Sequence, residues 1–404
     1  MLTRVGVPVE YEAEPSASDP QPTNLICFSH LRWNFVFQRP QHLMSRFGRD
    51  MRVIYWEEPV DIGPRETAYL KVRDADGFPQ VTLVVPHLPE GMPEDAREAA
   101  LSRLLDAHVA ALHGPLVTWY YTPMMLPFSR HLEAAVTVYD AMDELSKFRF
   151  APAKLLDLEQ ELIDKADLVF TGGTSLYEAK KGRHPDVHCF PSSVDRAHFA
   201  KARSRLFDPA DQEDLPKPRL GFYGVIDERF DTELLDKVAG TRPDWSFVMV
   251  GPVVKISEDE LPKRPNIHYL GSKTYAELPA YLSGWDVALM PFAMNESTQF
   301  ISPTKTPEYL AGGKPVVTTP VKDVVRHYGH LEGVKVAADA DSFVAACEEA
   351  LALAGDLESD WLAEADLMLS ATSWDTTQAR MAGLVDERLG VRGGTQSALL
   401  VAAE

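Results

Sequence analysis

The stretch 287–317, VALMPFAMNESTQFISPTKTPEYLAGGKPVV, runs from an apolar strand through a polar loop into a short helix studded with two prolines, then back into a strand. A strand, loop, helix and strand in that order form one unit of a parallel α/β sheet. Ligands of such sheets bind beyond the carboxyl ends of the strands, where helix N-termini present unpaired N–H groups. The loop 292–302 leaves a strand at such an end. Ser302 or Thr306 is expected to cap the helix, with Pro303 or Pro307 at its first position. Either choice leaves N–H groups near Thr304, Lys305 and Thr306 facing a cleft. Lys305 adds a full positive charge there, which suits a diphosphate. Glu308, three residues on, shares a helical face with Lys305, and its carboxylate can accept hydrogen bonds from a sugar diol. The alternative is a capped helix with a surface Lys–Glu pair, and spacing alone does not separate the two.

Outward from this unit the same alternation continues. NLICFS (24–29), RVIYW (52–56), VTLVVP (81–86), LVTWYY (116–121), VTVYD (136–140), DLVFTG (167–172) and VHCF (187–190) read as strands, with helical stretches at 40–48, 93–113, 152–165 and 175–182. The polar, proline-bearing KARSRLFDPADQEDLPKP (201–218) reads as a linker. A second series follows: RLGFYG (219–224), SFVMVG (246–251), NIHYLG (266–271), DVALMPF (286–292) and PVVTT (315–319). The expected fold is therefore α/β, with two doubly wound domains facing across a cleft. The boundaries fall at 23–200 for the first domain, completed by a returning helix at 373–390, and at 219–372 for the second. Residues 1–22 are expected to be a disordered tail rather than a signal peptide, and 391–404 a frayed one.

The bulk composition narrows the function. A chain of 404 residues with 45% hydrophobic and 25% charged content is that of a globular protein large enough for two cores. Its net charge of −20 argues against nucleic-acid binding and weakens the case for broad adhesion to anionic membranes, leaving room for a local peripheral contact. Cys27, Cys189 and Cys347 are widely separated, in no metal-ligand spacing, and suit a reducing cytoplasm. No apolar run reaches the ~18 residues of a spanning helix.

Four ordered motifs carry a resemblance: GFYGVIDERFD (221–231), FVMVGPV (247–253), NIHYLGSKTYAELPAYLSGWDVALMPF (266–292) and SPTKTPEYLAGGKPVV (302–317). Together they resemble the second domain of retaining group 1 (family 4-like) glycosyltransferases of the GT-B fold, including teichuronic-acid-type enzymes of bacterial polysaccharide biosynthesis. FPSSVDRAHF (190–199) is similar to that family's domain-joining segment, and SWDTTQA (373–379) to its crossover helix. The resemblance implies two Rossmann-like domains and a UDP- or GDP-linked sugar as co-substrate, with no other cofactor and no metal. It also implies a saccharide or lipid-linked acceptor, and a cytoplasmic location, at the inner membrane face when the acceptor is lipid-linked. Glu308 then holds the ribose, while Arg229, Lys305, Ser302, Thr304 and Thr306 surround the diphosphate. Two departures stand out. Phe300 occupies the place of the family's first glutamate, with Glu296 out of register. The family's lysine after Arg229 is missing, leaving Lys255 or Lys237 as substitutes; a solvated loop lysine is the simpler account of Lys255.

The first domain is expected to hold the acceptor. FSHLRWNFVFQRPQHLMSRF (28–47) offers His30, Arg32, Trp33 and Arg39 after strand one, without the GxGxxG of a dinucleotide fold. Trp33 suits stacking on a pyranose, although it could equally be core, and Arg39 could cap a helix. Asp140, Asp143 and Glu144 follow another strand; Asp143 is the better candidate for acceptor contact or general base, with His30 as an alternative base, and helix capping is the competing account. The TGGTS turn (171–175) suits close backbone approach, and TWYYTPMMLPF (118–128) either a groove or core. Besides a retaining transferase, an inverting one and a non-catalytic nucleotide-sugar or polysaccharide-binding subunit remain open, Phe300 favouring the last.

Overall fold

A computed structural model describes residues 21–204 and 206–401, with side chains through Gly390. The tail expected over 1–22 lies almost wholly outside the described residues. Strands β1 (Asn24–Ser29), β2 (Arg52–Glu57), β3 (Val60–Ile62), β4 (Tyr69–Ala75), β5 (Phe78–Pro89), β6 (Leu116–Tyr120), β7 (Val136–Ala141), β8 (Leu168–Thr171) and β9 (Val187–Cys189) form one sheet. Its order is β3-β5-β2-β1-β6-β7-β8-β9, parallel throughout except where β4 folds back antiparallel on β5. β3 and β4, and in the second sheet the strand Val334–Val336, have no counterpart in the sequence reading. β3 and β4 are short, largely exposed edge strands whose polar residues carry no burial signal, although Asp76-Gly77 marks the hairpin turn.

The second sheet comprises β10 (Arg219–Tyr223), β11 (Ser246–Val250), β12 (Ile267–Tyr269), β13 (Val287–Met290), β14 (Val316–Thr318) and β15 (Val334–Val336). All pairs are parallel in the order β12-β11-β10-β13-β14-β15, so strand order reverses between β10 and β13. Such a reversal opens a crevice at the strand ends, which is where this class of sheet binds ligands. β10, β11 and β13 are buried on both faces, as helices on both sides of a sheet require.

The segment 201–218 is bound to the second domain. Gln212 is fully buried and accepts from the Trp285 indole N–H at 2.8 Å, and Asp208 pairs with Arg219 at 2.6 Å. The last helix, Trp374–Val401, returns to the first domain: Trp374, Met381 and Val385 join the core built on β1, β2, β6 and β7. It runs past Gly390, where a frayed end was expected; the alanine and two leucines of SALLV (397–401) favour helix despite the glycines before them.

The domains touch on both sides of the cleft. Behind it, the Asp323 carboxylate, 2% exposed, accepts from the Ser175 backbone N–H at 3.0 Å and its hydroxyl at 2.5 Å, while Thr174 bonds His327 at 2.8 Å. A Cβ on Gly173 would lie 2.6 Å from Asp323 and 2.8 Å from Ser302. The close approach expected at TGGTS is thus made by the opposite domain. Phe300 is another contact between domains, packing against the first-domain core that contains Phe28, Tyr120 and Leu176.

Inside the second sheet, the Trp285 indole lies on Gly221 so closely that a Cβ there would sit 2.0 Å from the ring. Gly221→Ala is expected to destabilise the protein by ~2 kcal/mol or more through overpacking, measured as a lower urea midpoint.

Candidate functional site

Two strand-end glycines set the floor of the cleft. Gly224 after β10 and Gly251 after β11 have φ of +137° and +141°, and a Cβ on Gly251 would meet the Gly224 carbonyl oxygen at 1.9 Å. Lys305 occupies the space that a side chain on Gly224 would fill, with its Cε 2.3 Å and Nζ 2.7 Å from that missing Cβ. Its ammonium lies 5.5 and 5.7 Å from the ring centroids of Phe222 and Phe292. Among the described residues it has no ion-pair partner within 4.0 Å. Burial, and then the neighbouring Arg229, push its pKa down to about 8, which an arriving anion would reverse.

The helix carrying Lys305 is Lys305–Ala311, with Thr304 at the N-cap position in helical conformation. This corrects the expected caps, Ser302 and Thr306. With the start at Lys305, Thr306 lies inside the first turn and its hydroxyl bonds the Met290 sulfur at 3.1 Å, buried away from the cleft. Ser302 lines the cleft beside Thr304, and its carbonyl accepts from the Ser192 hydroxyl at 2.5 Å. Glu308, 5% exposed, accepts from the Tyr223 hydroxyl at 2.9 Å. Burial raises its pKa to about 7, against the opposing pull of Tyr223, Lys305 and Thr304.

Arg229 is fixed by Asp227, which accepts from Nε at 2.9 Å, from Nη2 at 2.7 Å and from the Arg229 backbone N–H at 3.0 Å. Lys255 pairs more loosely with Glu228, at 3.6 Å. Lys237 lies outside the site, paired with Glu233 on an exposed helix. Asp143 reaches in from the first domain and lines one cavity with Lys305, Arg229, Ser302 and Thr304. Burial raises its pKa while Arg229 opposes the shift, and it has no hydrogen-bond partner among the described residues.

The other expected first-domain residues have partners of their own or lie off the cavities at Lys305, Arg39 among them also lining the one that holds Asp143. Trp33 is 4% exposed and packs edge-on against Tyr55 and Phe78, so no face is left for a sugar. Arg39 is buried in a forked pair with Asp140, at 2.8 to 3.2 Å, and donates to the Phe190 carbonyl. Arg32 pairs with Glu57 at 3.0 Å. His30 is held neutral, with its pKa lowered to about 4 by burial and by Lys255, and its Nδ1 is unpartnered. It is not among the residues lining the two cavities at Lys305. Gln38 and Tyr275, which the sequence reading passed over, line the cavity shared by Lys305 and Glu308; the Tyr275 ring packs, tilted by 31°, against Phe37 of the first domain with centroids 4.7 Å apart.

Those cavities measure about 100 and 130 Å³. Ordinary small-molecule pockets span roughly 300–1,000 Å³. The two share Gln38, Val225, Arg229, Thr304 and Lys305, so they are parts of one narrow cleft.

Residues 217–352 match the family model of glycosyl transferases group 1. A TuaH glycosyltransferase of Bacillus subtilis (strain 168), named for teichuronic acid biosynthesis, is 31% identical over 225 residues, covering 52% of this chain and 55% of that relative. The match thus spans about half the length of the relative. The fold resembles sucrose-phosphate synthase from Thermosynechococcus elongatus (TM-score 0.65, 16% identity, 91% of this chain and 100% of that one). It also resembles α,α-trehalose 6-phosphate synthase from Burkholderia multivorans (0.63, 13%, 94% and 99%). Anabaena HepE in complex with UDP and glucose is similar too (0.62, 13%, 90% and 99%). The chain has the GT-B fold, and its second domain matches the group 1 glycosyl transferase model over residues 217–352.

Glu308 yields a test by its titration. Its folded pKa, about 7, lies above the ordinary 4.5, so its stabilising contribution is present below pH 4.5 and lost as pH rises toward 7. Across that window the native protein should lose about 3 kcal/mol more than Glu308→Gln. Urea titrations of both proteins at several pH values check this, and parallel curves would contradict the burial assigned to the carboxylate.

Proposed function

We propose that the protein transfers a sugar from a nucleotide-diphosphate sugar to a hydroxyl of a saccharide or lipid-linked acceptor, in cell-surface polysaccharide assembly in the cytoplasm. The observation that carries this reading is Lys305: an unneutralised ammonium seated on a bare glycine at the strand-order reversal, one helical turn from the buried Glu308 carboxylate. The ammonium and Arg229 suit a diphosphate, and Glu308 suits the ribose diol. The UDP in HepE and the teichuronic-acid name of the relative support the donor class and the pathway. Three free cysteines support a reducing compartment, and among the described residues no helix is long and apolar enough to cross a membrane.

In the reaction the bond from the anomeric carbon to the β-phosphate oxygen breaks, and a bond forms from that carbon to the acceptor oxygen. Negative charge grows on the leaving nucleoside diphosphate, where Lys305 and Arg229 stabilise it more strongly than in the ground state. For a retaining outcome the acceptor proton passes to the departing phosphate on the same face. A specific observation also favours an inverting alternative: Asp143 faces the Lys305 cavity without a hydrogen-bond partner, as a general base would. NMR of the product anomer separates the two outcomes. The non-catalytic reading loses support, because Phe300 is accounted for as a contact between domains.

Lys305→Ala is expected to cut turnover at least about 100-fold, as loss of a charge-stabilising donor does, while the circular dichroism spectrum stays native. UDP or GDP should raise the wild-type melting temperature by several degrees, as any ligand selective for the folded state does. A folded Lys305→Ala protein turning over at the normal rate would remove the residue from the mechanism.

A further inference from the structure

We propose that Phe148 is the seal of the diphosphate site: a wall carried by the first domain that closes over Arg229 and Lys255 and keeps bound donor from water. This rests on the proposed sugar-transfer reading and adds to it a residue that governs whether donor reaches an acceptor or is lost. The phenyl centroid lies 5.2 Å from the Arg229 guanidinium carbon and 4.8 Å from the Lys255 ammonium. Both cations belong to the second domain, whereas Phe148 stands in the loop after β7 of the first. An aromatic ring attracts cations through its face yet offers water no ordinary hydrogen-bonding group.

The neighbours of Phe148 hold it across the cleft. Lys147 pairs with Glu296 at 3.1 Å, and the Arg149 backbone N–H donates to Glu228 at 3.3 Å, the same carboxylate that pairs with Lys255. Behind the ring, Glu144 accepts from the buried Lys180 at 2.8 Å, which ties the loop to its own domain. The ring therefore travels with the first domain and meets the cations when the domains close.

Its second surface faces an open cavity of about 620 Å³, also lined by Ser146, Lys147, Glu228, Asn295 and Glu296. Phe148 thus stands between a solvent-accessible chamber and Arg229, the cation under the ring that also lines both Lys305 cavities. Excluding water from such a site strengthens its electrostatics and suppresses hydrolysis of a reactive donor. A plug that merely blocks donor entry would share this geometry and have the opposite kinetics.

Stopped-flow measurement of UDP and GDP association and dissociation, on the full chain and on Phe148→Ala, decides between them. A seal predicts dissociation about tenfold faster in Phe148→Ala, with Phe148→Tyr restoring the native rate. Melting temperatures of the free proteins should agree within about 2 °C, which excludes a general loss of packing. Unchanged dissociation, or tighter binding through faster association alone, overturns the seal while leaving the sugar-transfer reading intact. Failure of the wild-type protein to bind either nucleotide overturns both.

Discussion

The site depends on one substitution of space for side chain. Gly224 has no Cβ, and the aliphatic end of Lys305 fills the volume a Cβ would need, so a single ammonium is delivered to the end of β10 where strand order reverses. Gly251 repeats the device one strand over, allowing the backbone at Gly224 to lie against it. A charge held this way is partly desolvated, which lowers its own pKa and strengthens its attraction for an anion. Among the described residues Arg229 is matched by Asp227 and Lys255 more loosely by Glu228, while Lys305 has no ion-pair partner within 4.0 Å. Arg229 and Lys305 both line the cavities where a ligand would meet them.

The cleft around it is organised by contacts between domains. Asp323 and His327 grip the start of the Thr174–Lys180 helix from behind, Phe300 inserts into the first-domain core, and the loop carrying Phe148 closes the front. These contacts leave cavities of about 100 and 130 Å³ around Lys305, smaller than a nucleotide sugar needs. Burial in this cleft is the main cause of the shifted pKa values of Lys305, Glu308 and Asp143.

What the sequence revealed follows from the range over which each signal acts. Both sheets were legible because parallel strands covered on two faces must be apolar throughout, and their helices carry proline near the start or glycine at the end. Lys305 and Glu308 were legible because one helical turn fixes their common face. The packing of Trp33 and the partner of Arg39 were illegible for the complementary reason. A strand-end position shows where a side chain begins but not what waits for it, and the partner of Arg39 is Asp140, 101 residues away. Thr306 turned inward because the helix starts at Lys305, a boundary that two prolines and two hydroxyl residues left ambiguous. The glycines of TGGTS were read as making room, which they do: Met142 of the same domain lies on Gly172, and Asp323, 148 residues on from Ser175, lies on Gly173. Phe300 could be seen as a departure, and only the packed structure showed what it does instead.

The most direct test of the account is a crystal structure of the protein grown with UDP or GDP. The account predicts the diphosphate within about 3 Å of the Lys305 ammonium, with the ribose hydroxyls donating to Glu308. A nucleotide bound elsewhere, or one whose phosphates leave Lys305 untouched, would contradict it.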